Sequence, residues 1–495
     1  MSDKSKEIKG SASGKGGGRQ TRPTLSLRGP GKGGRNAGME GVRKTTSRPA
    51  ATGLAARDLA LAMLVGVLDC HRAFDDAIAT AFTSAKGLAL DSRDRGLARL
   101  LAATVLRRKG VLEAVLSRFM EKPLPPRYED ARRIMLVGVA QILYLDTPPH
   151  AAVSLAVTQC RRDPAIQHLA KLVNAVLRRI AMEGRGVLEG IDTYEATIPE
   201  WLSRSLVETY GDDKARRIAE ASLHEAPLDL TIKSAGDAAQ WAERLGGMLL
   251  ETGTVRLASG GRVEDRDGYA AGDWWVQDAA AALPARLLGD DLAGREIADL
   301  CAAPGGKTAQ LAAKGAIVTA VDVSAARLKR VTENLSRLGL SAEMVQADIA
   351  DWQPGRTFDA VLLDAPCSAS GTIRRHPDIL HLKRQEDIDA LVRIQSRLLD
   401  CAAELVRPGG TLVYCTCSLG RVEGESRIQS FLDRHAAFER VPIIAGEAGI
   451  EAGWITRDGA LRTLPTDTPG GDPEGRGMDG FYAARLARKA QSMFS

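Results

Sequence analysis

The sequence has no apolar run approaching the roughly 18 residues that a membrane-spanning helix requires, which excludes a helical membrane protein. Its first stretch is basic and glycine-rich without an apolar core, and so does not read as a secretory signal. Cysteine is sparse and irregular, with seven in 495 residues. That argues against a disulfide framework and for reduced thiols in the cytoplasm. Net positive charge is also missing from most of the chain. The net charge is +5, but residues 1–50 hold twelve Lys/Arg against three Asp/Glu, which leaves −4 for the remainder. Basicity therefore belongs to the leading segment and does not describe a folded surface.

That segment, residues 1–52, has almost no large apolar residues, cannot bury enough surface to offset its chain entropy, and is expected to be disordered. It reads as an arm for RNA phosphates or as a solubilising tail. Residues 53–182 show apolar residues at helical spacing: Leu59, Met63, Val67 and Phe74 within 55–81, then Leu97, Leu101, Val105, Leu112 and Leu116 within 94–119. Further helices are expected over 132–145, where Pro148 and Pro149 end the run, and over 151–160 and 169–180. This predicts an all-helical domain. Residues 183–198 read as a glycine-containing connector, and 199–270 as a small α/β segment with a strand over 228–233. A helix running to Leu288 is expected after Gly272-Asp-Trp-Trp-Val-Gln-Asp278. Gln277 and Asp278 are candidates to face a substrate, and Trp274 and Trp275 candidates for a wedge between domains.

From residue 271 to the end, strands alternate with helices. Strands over 297–300, 317–322, 343–346, 358–364 and 411–415, with helices from Lys307, over 324–338 and over 388–406, predict a parallel, doubly wound sheet. Ligands then lie at the carboxyl ends of the strands. Asp299, Asp322, Asp348 and Asp364 all fall at such ends, which marks a site.

The centre of that site is Asp299-Leu-Cys-Ala-Ala-Pro-Gly-Gly-Lys-Thr308, a strand, a tight turn and a helix start. Gly305 and Gly306 let a ligand lie on the backbone, and the helix N-terminus behind them favours negative charge. A phosphate-binding P-loop is excluded because Cys301 stands where its first glycine must be, and this loop lacks the dinucleotide fingerprint. S-adenosylmethionine remains. It calls for an acid at the end of the next strand to hold the ribose, and Asp322 is there. The alternative is a structural glycine turn.

Two thiols reach the same edge, Cys367 in Asp364-Ala-Pro-Cys-Ser368 and Cys417 in Thr416-Cys-Ser418. A zinc site is the rival, with Cys415 as a third ligand, but C-x-C is not zinc spacing and His376 is the nearest histidine, so no metal is expected. A thiol, an acid and a methyl donor suit methylation of carbon 5 of a cytosine, where thiolate addition at carbon 6 makes carbon 5 nucleophilic.

These motifs resemble the RNA cytosine-5 methyltransferases of the NOL/NOP/Sun family. Gln141-Ile-Leu-Tyr-Leu-Asp-Thr-Pro-Pro-His-Ala-Ala-Val-Ser154 and Lys171-Leu-Val-Asn-Ala-Val-Leu-Arg-Arg179 resemble a NusB-type RNA-binding domain. Together they point to the RsmB/Sun-type ribosomal RNA branch, over residues 53–482. The resemblance implies an all-α NusB-like domain followed by a Rossmann-like methyltransferase domain. It implies Cys417 as nucleophile, Cys367 as helper in product release and Asp364 as a contact to the base. It implies cofactor contacts from Cys301, Ala302, Ala303, Pro304, Gly305, Gly306 and Lys307, with Asp322 at the ribose, Asp348 near the adenine, and Arg327 and Asp364 beside them. Arg178 and Arg179 are candidates for RNA contact, or helix-end charge. Cys415 carries no family role and reads as core. The expected partner is RNA, ribosomal RNA first and tRNA second, with assembling ribosomal subunits as a further partner and the monomer as default. A non-catalytic RNA-binding factor and a small-molecule methyltransferase are the competing classes. Intact Cys367 and Cys417 speak against the former; the helical domain and the basic segment speak against the latter.

Overall fold

In the computed structural model, residues 50–257, 262–472 and 474–490 are described. Residues 1–49 of the basic segment lie outside them, and the first helix starts at Ala50, inside the segment expected to be disordered.

The helical region comprises Ala50–Leu68, Phe74–Thr83, Ser92–Arg118, Glu129–Tyr144, Pro149–Arg162 and Ala170–Glu189, with a one-turn piece at Ala85–Leu88. Its core is one cluster that includes Leu59, Met63, Leu101, Leu112, Met135 and Leu177. The periodicity over 55–81 implied a single helix; two are found. His71 takes a left-handed φ of 51° in the break. The second helix is started from afar, because the N–H of Phe74 donates to Asp378 Oδ2 at 3.0 Å. The connector expected over 183–198 is also corrected. The last long helix continues through Gly184 to Glu189, and Asp192 then caps a short helix, Thr193–Thr197. Gly184 is buried, and a Cβ there would stand 2.9 Å from Ile180 Cγ2 of its own helix and 3.3 Å from Leu143 Cδ2 of a neighbouring one.

Helices Glu200–Tyr210 and Asp212–Ser222 lead into a small antiparallel sheet. Its strands are β1 (Leu228–Ile232), β2 (Met248–Leu249), β3 (Val255–Leu257) and β4 (Trp274–Val276), in the order β2-β3-β1-β4. The fourth strand comes from beyond residue 270, from a stretch expected only to lead into a helix; that helix is Ala279–Arg286. Trp274 packs into the small sheet's core with Leu230, Ile232 and Trp241. Trp275 packs on Ala309, Val331 and Leu335, so the two rings fill the two sides of a junction.

The large sheet is built from β5 (Glu296–Leu300), β6 (Ile317–Asp322), β7 (Glu343–Gln346), β8 (Phe358–Asp364), β9 (Val406–Thr416), β10 (Phe438–Arg440), β11 (Leu461–Thr463) and β12 (Phe481–Arg488). The order is β7-β6-β5-β8-β9-β12-β10, with β11 paired to β12. β5 to β9 run parallel, and β12 is antiparallel to β9. The central strands are apolar on both faces because helices cover both. The chain reverses direction across the sheet at β5, flanked by β6 and β8, which opens the crevice where such sheets bind ligands.

Candidate active site

The loop after β5 is shaped by its residues. Cys301 and Gly305 have positive φ, 61° and 99°, and the Ala303–Pro304 peptide is cis. A Cβ on Gly305 would stand 2.8 Å from Val331 Cγ1, so only glycine allows the helix Ala325–Leu338 to pack this close. Helix Gly306–Ala313 follows directly, and its Lys307 turns inward.

Two cavities flank this loop. One, of about 360 Å³, is walled by Cys301, Val323, Arg327, Asp348, Ile349 and Pro366 among others. The other, of about 600 Å³, is walled by Ala302, Pro304, Gly305, Gly306, Lys307, Gln277, Asp278, Thr372, Arg375, His376 and Phe481 among others. Ala303, Asp364 and Cys417 line both. The expected cofactor residues are thus divided between the two spaces. Asp322 lines neither: its buried carboxylate accepts from Arg327 Nη2 at 2.8 Å, Ser324 N at 2.9 Å and Ala303 N at 3.4 Å, and so ties the loop to β6.

Where the cavities meet, β8 and β9 lie side by side in parallel, with Asp364 opposite Cys415. The segments that leave these strands carry Cys367 and Cys417 into contact, 3.5 Å between sulfurs. Asp364 accepts from Lys307 Nζ at 2.8 Å through one oxygen and from the Cys415 thiol at 3.5 Å through the other. Cys415, expected as core, is fully buried and also touches this acid. Its hydrogen bond to Cys417, its burial and the charge of Cys417 push the Cys367 thiol well above its ordinary range. Burial pushes Asp299 up to about 7, against the hydrogen bond from Thr308 Oγ1 at 2.6 Å and the pull of Lys307. The Lys307 ammonium is held firmly charged despite burial, chiefly by Asp364.

Oδ1 of Asp299 has no hydrogen-bond partner, and Asp299 is one of the residues that line the larger cavity. It is a ready acceptor for the ammonium of S-adenosylmethionine, and the acids and Arg327 around the smaller cavity offer partners for the rest of that cofactor.

Sequence reasoning missed two groups, the first being the partners of Asp278, which it offered only as a candidate to face a substrate. Asp278 caps helix Ala279–Arg286 and accepts from Arg375 Nη2 at 2.6 Å, while Arg375 Nε donates to Asp479 Oδ2 at 3.0 Å. Burial, with Asp278 close by, raises Asp479 to about 7. The other is Glu423, which binds both cysteine loops. Its only signal in the sequence is an acid six residues past Cys417.

A Rossmann-like sheet of this strand order, with a glycine loop and acids at its carboxyl edge, defines an S-adenosylmethionine-dependent methyltransferase. The model of the 16S rRNA methyltransferase RsmB/F family matches residues 290–487, and that of the NusB family matches residues 54–182. The ribosomal RNA small subunit methyltransferase B of Xylella fastidiosa is 37% identical over 449 residues, 88% of this chain and 98% of its own. That of Xanthomonas campestris pv. campestris is 36% identical over 454 residues, 89% and 98% respectively. The crystal structure of PH0851 has the same fold, with a TM-score of 0.67 at 22% identity, covering 90% of this chain and 100% of that one. The chain belongs to the ribosomal RNA small subunit methyltransferase B family.

Proposed function

We propose that this enzyme methylates carbon 5 of a cytosine in small-subunit ribosomal RNA through a covalent adduct with Cys417. The observation that carries this reading is the pair of thiols 3.5 Å apart, Cys417 in a wall shared by both cavities and Cys367 in the wall of the smaller one. The relatives' names supply the class of RNA. The working form is a monomer in the cytoplasm, acting on free or assembling subunit RNA. The NusB-like domain and basic segment hold the surrounding RNA through phosphates.

The larger cavity takes the target base once it has left its stack. S-adenosylmethionine supplies an electrophilic methyl group when bound. Asp364, oriented by Lys307, meets the base edge at N3, where it is the acceptor once N3 carries a proton. Cys417 Sγ forms a bond to carbon 6, and the electrons of the C5=C6 bond move to carbon 5, which takes the methyl group. Cys367 then removes the proton from carbon 5, the C5=C6 bond re-forms and the S–C6 bond breaks.

The hydrogen bond gives these steps an order. Two influences of Cys417, the hydrogen-bonded contact and its charge, hold the Cys367 thiol well above its ordinary range. Once Cys417 is a thioether, both influences vanish and the Cys367 thiol becomes easier to ionise, at the stage when a base is needed. The test uses labelled S-adenosylmethionine and unmethylated small-subunit RNA. Wild type is expected to form 5-methylcytosine, Cys417→Ala to give neither product nor adduct, and Cys367→Ala to accumulate a denaturant-stable adduct. Methylation by Cys417→Ala would overturn the assignment.

A further inference from the structure

Glu423 is 1% exposed, and its carboxylate is shared between the two cysteine loops. Oε1 accepts from Ser368 N at 2.8 Å and from Gln395 Nε2 at 2.9 Å. Oε2 accepts from Ser368 Oγ and from Ser418 Oγ, each at 2.5 Å. Ser368 is the residue after Cys367, and Ser418 the residue after Cys417. The backbone of Glu423 is anchored too, since Tyr414 OH on β9 donates to its carbonyl at 2.8 Å. Among the described residues no Lys, Arg or His forms an ion pair with this carboxylate, although burying an uncompensated charge costs several kcal/mol. Its four hydrogen bonds offset that cost, and both hydroxyl bonds join the thiol-bearing loops through one atom.

We propose that Glu423 is a positioning residue that fixes the spacing of Cys367 and Cys417 by clamping their loops together. The inference rests on the two-thiol reading above. Proton removal from carbon 5 requires Cys367 to stay in place while Cys417 is held by the base. A shift of about 1 Å at that moment is enough to cost on the order of 100-fold.

Two substitutions separate reach from charge. Glu423→Asp keeps the charge and shortens the reach by one carbon–carbon bond, about 1.5 Å. Glu423→Gln keeps the reach, and the two serine hydroxyls can turn to accept from its amide. The full-length enzyme is assayed with S-adenosylmethionine and in vitro transcribed small-subunit RNA, beside Cys367→Ala and Cys417→Ala. Cofactor affinity, KM for RNA, kcat and adduct are measured.

The expected result for Glu423→Asp is unchanged cofactor affinity and KM, a kcat lower by about 100-fold and accumulated adduct, as for Cys367→Ala. Glu423→Gln is expected to recover most of the release rate. The clamp is overturned if Glu423→Asp turns over like wild type, if it outperforms Glu423→Gln, or if both variants lose cofactor binding, which would mark a folding role. Adduct formation by Cys417→Ala would overturn the two-thiol reading, and the clamp with it.

Discussion

Replacing Asp299 by asparagine should destabilise the protein at low pH and stabilise it at high pH. The carboxyl is fully buried, with Oδ2 bonded to Thr308 and Oδ1 without a partner. Burial raises it from 3.8 to about 7, which is about 4 kcal/mol of resistance to ionisation. The folded carboxyl binds its proton more tightly than the unfolded one. Its stabilising contribution is therefore fully present below pH 3.8 and is lost as pH rises through about 7. Asparagine has no charge to bury, so it escapes that loss. It keeps an acceptor for Thr308 and places an amide donor in the orphaned position, at a cost of roughly 1–3 kcal/mol if no acceptor is found. The variant should thus be less stable than wild type by roughly 1–3 kcal/mol near pH 4 and more stable by a similar amount at pH 8. Urea unfolding of the cofactor-free protein, followed by tryptophan fluorescence, measures this. Equal offsets at pH 5 and pH 8 would refute the reasoning.

Arg256 is fully buried between Asp229 and Asp472, with each contact at 2.7 Å. Arg256→Met leaves two uncompensated carboxylates and is expected to lower stability by about 3–5 kcal/mol in denaturant titrations. Gly305→Ala places a methyl group against Val331 at a φ of 99°. Strain of about 1–3 kcal/mol predicts roughly tenfold weaker S-adenosylmethionine binding or worse, read by calorimetry. The 3.5 Å thiol pair should be open to oxidation, a disulfide forming as peroxide is reduced to water. Methyl transfer should then stop and return with dithiothreitol; activity indifferent to peroxide, with no disulfide in the mass spectrum, would contradict the geometry.

Local chemistry was legible in the sequence. The bounds of β6, β7 and β8 follow from apolar runs that end in Asp322, Gln346 and Asp364, and strand–helix alternation gives the parallel sheet. The glycine loop is legible because backbone freedom at Gly305 is a property of the residue itself. The helix break after Leu68 was not legible. The apolar spacing runs through it, and the cap on Phe74 comes from Asp378, about three hundred residues later. Gly184 and Gly186 looked like a connector, but Gly184 is buried beside Ile180 and Leu143, and the helix runs on through both glycines.

The sequence by itself determined which chemical groups arrive at the carboxyl edge of the sheet, because period and turn preference are set by neighbours along the chain. Only the tertiary structure decided which of them touch. The pairing of β8 with β9 brings Cys367 to Cys417, and the buried carboxylate of Glu423 bridges the serines beside them. Asp278, Arg375 and Asp479 likewise meet only when the small sheet, the loop after β8 and the start of β12 converge. Such contacts depend on strand order and on the cost of burying a polar group unpaired, and neither leaves a periodic trace in the sequence.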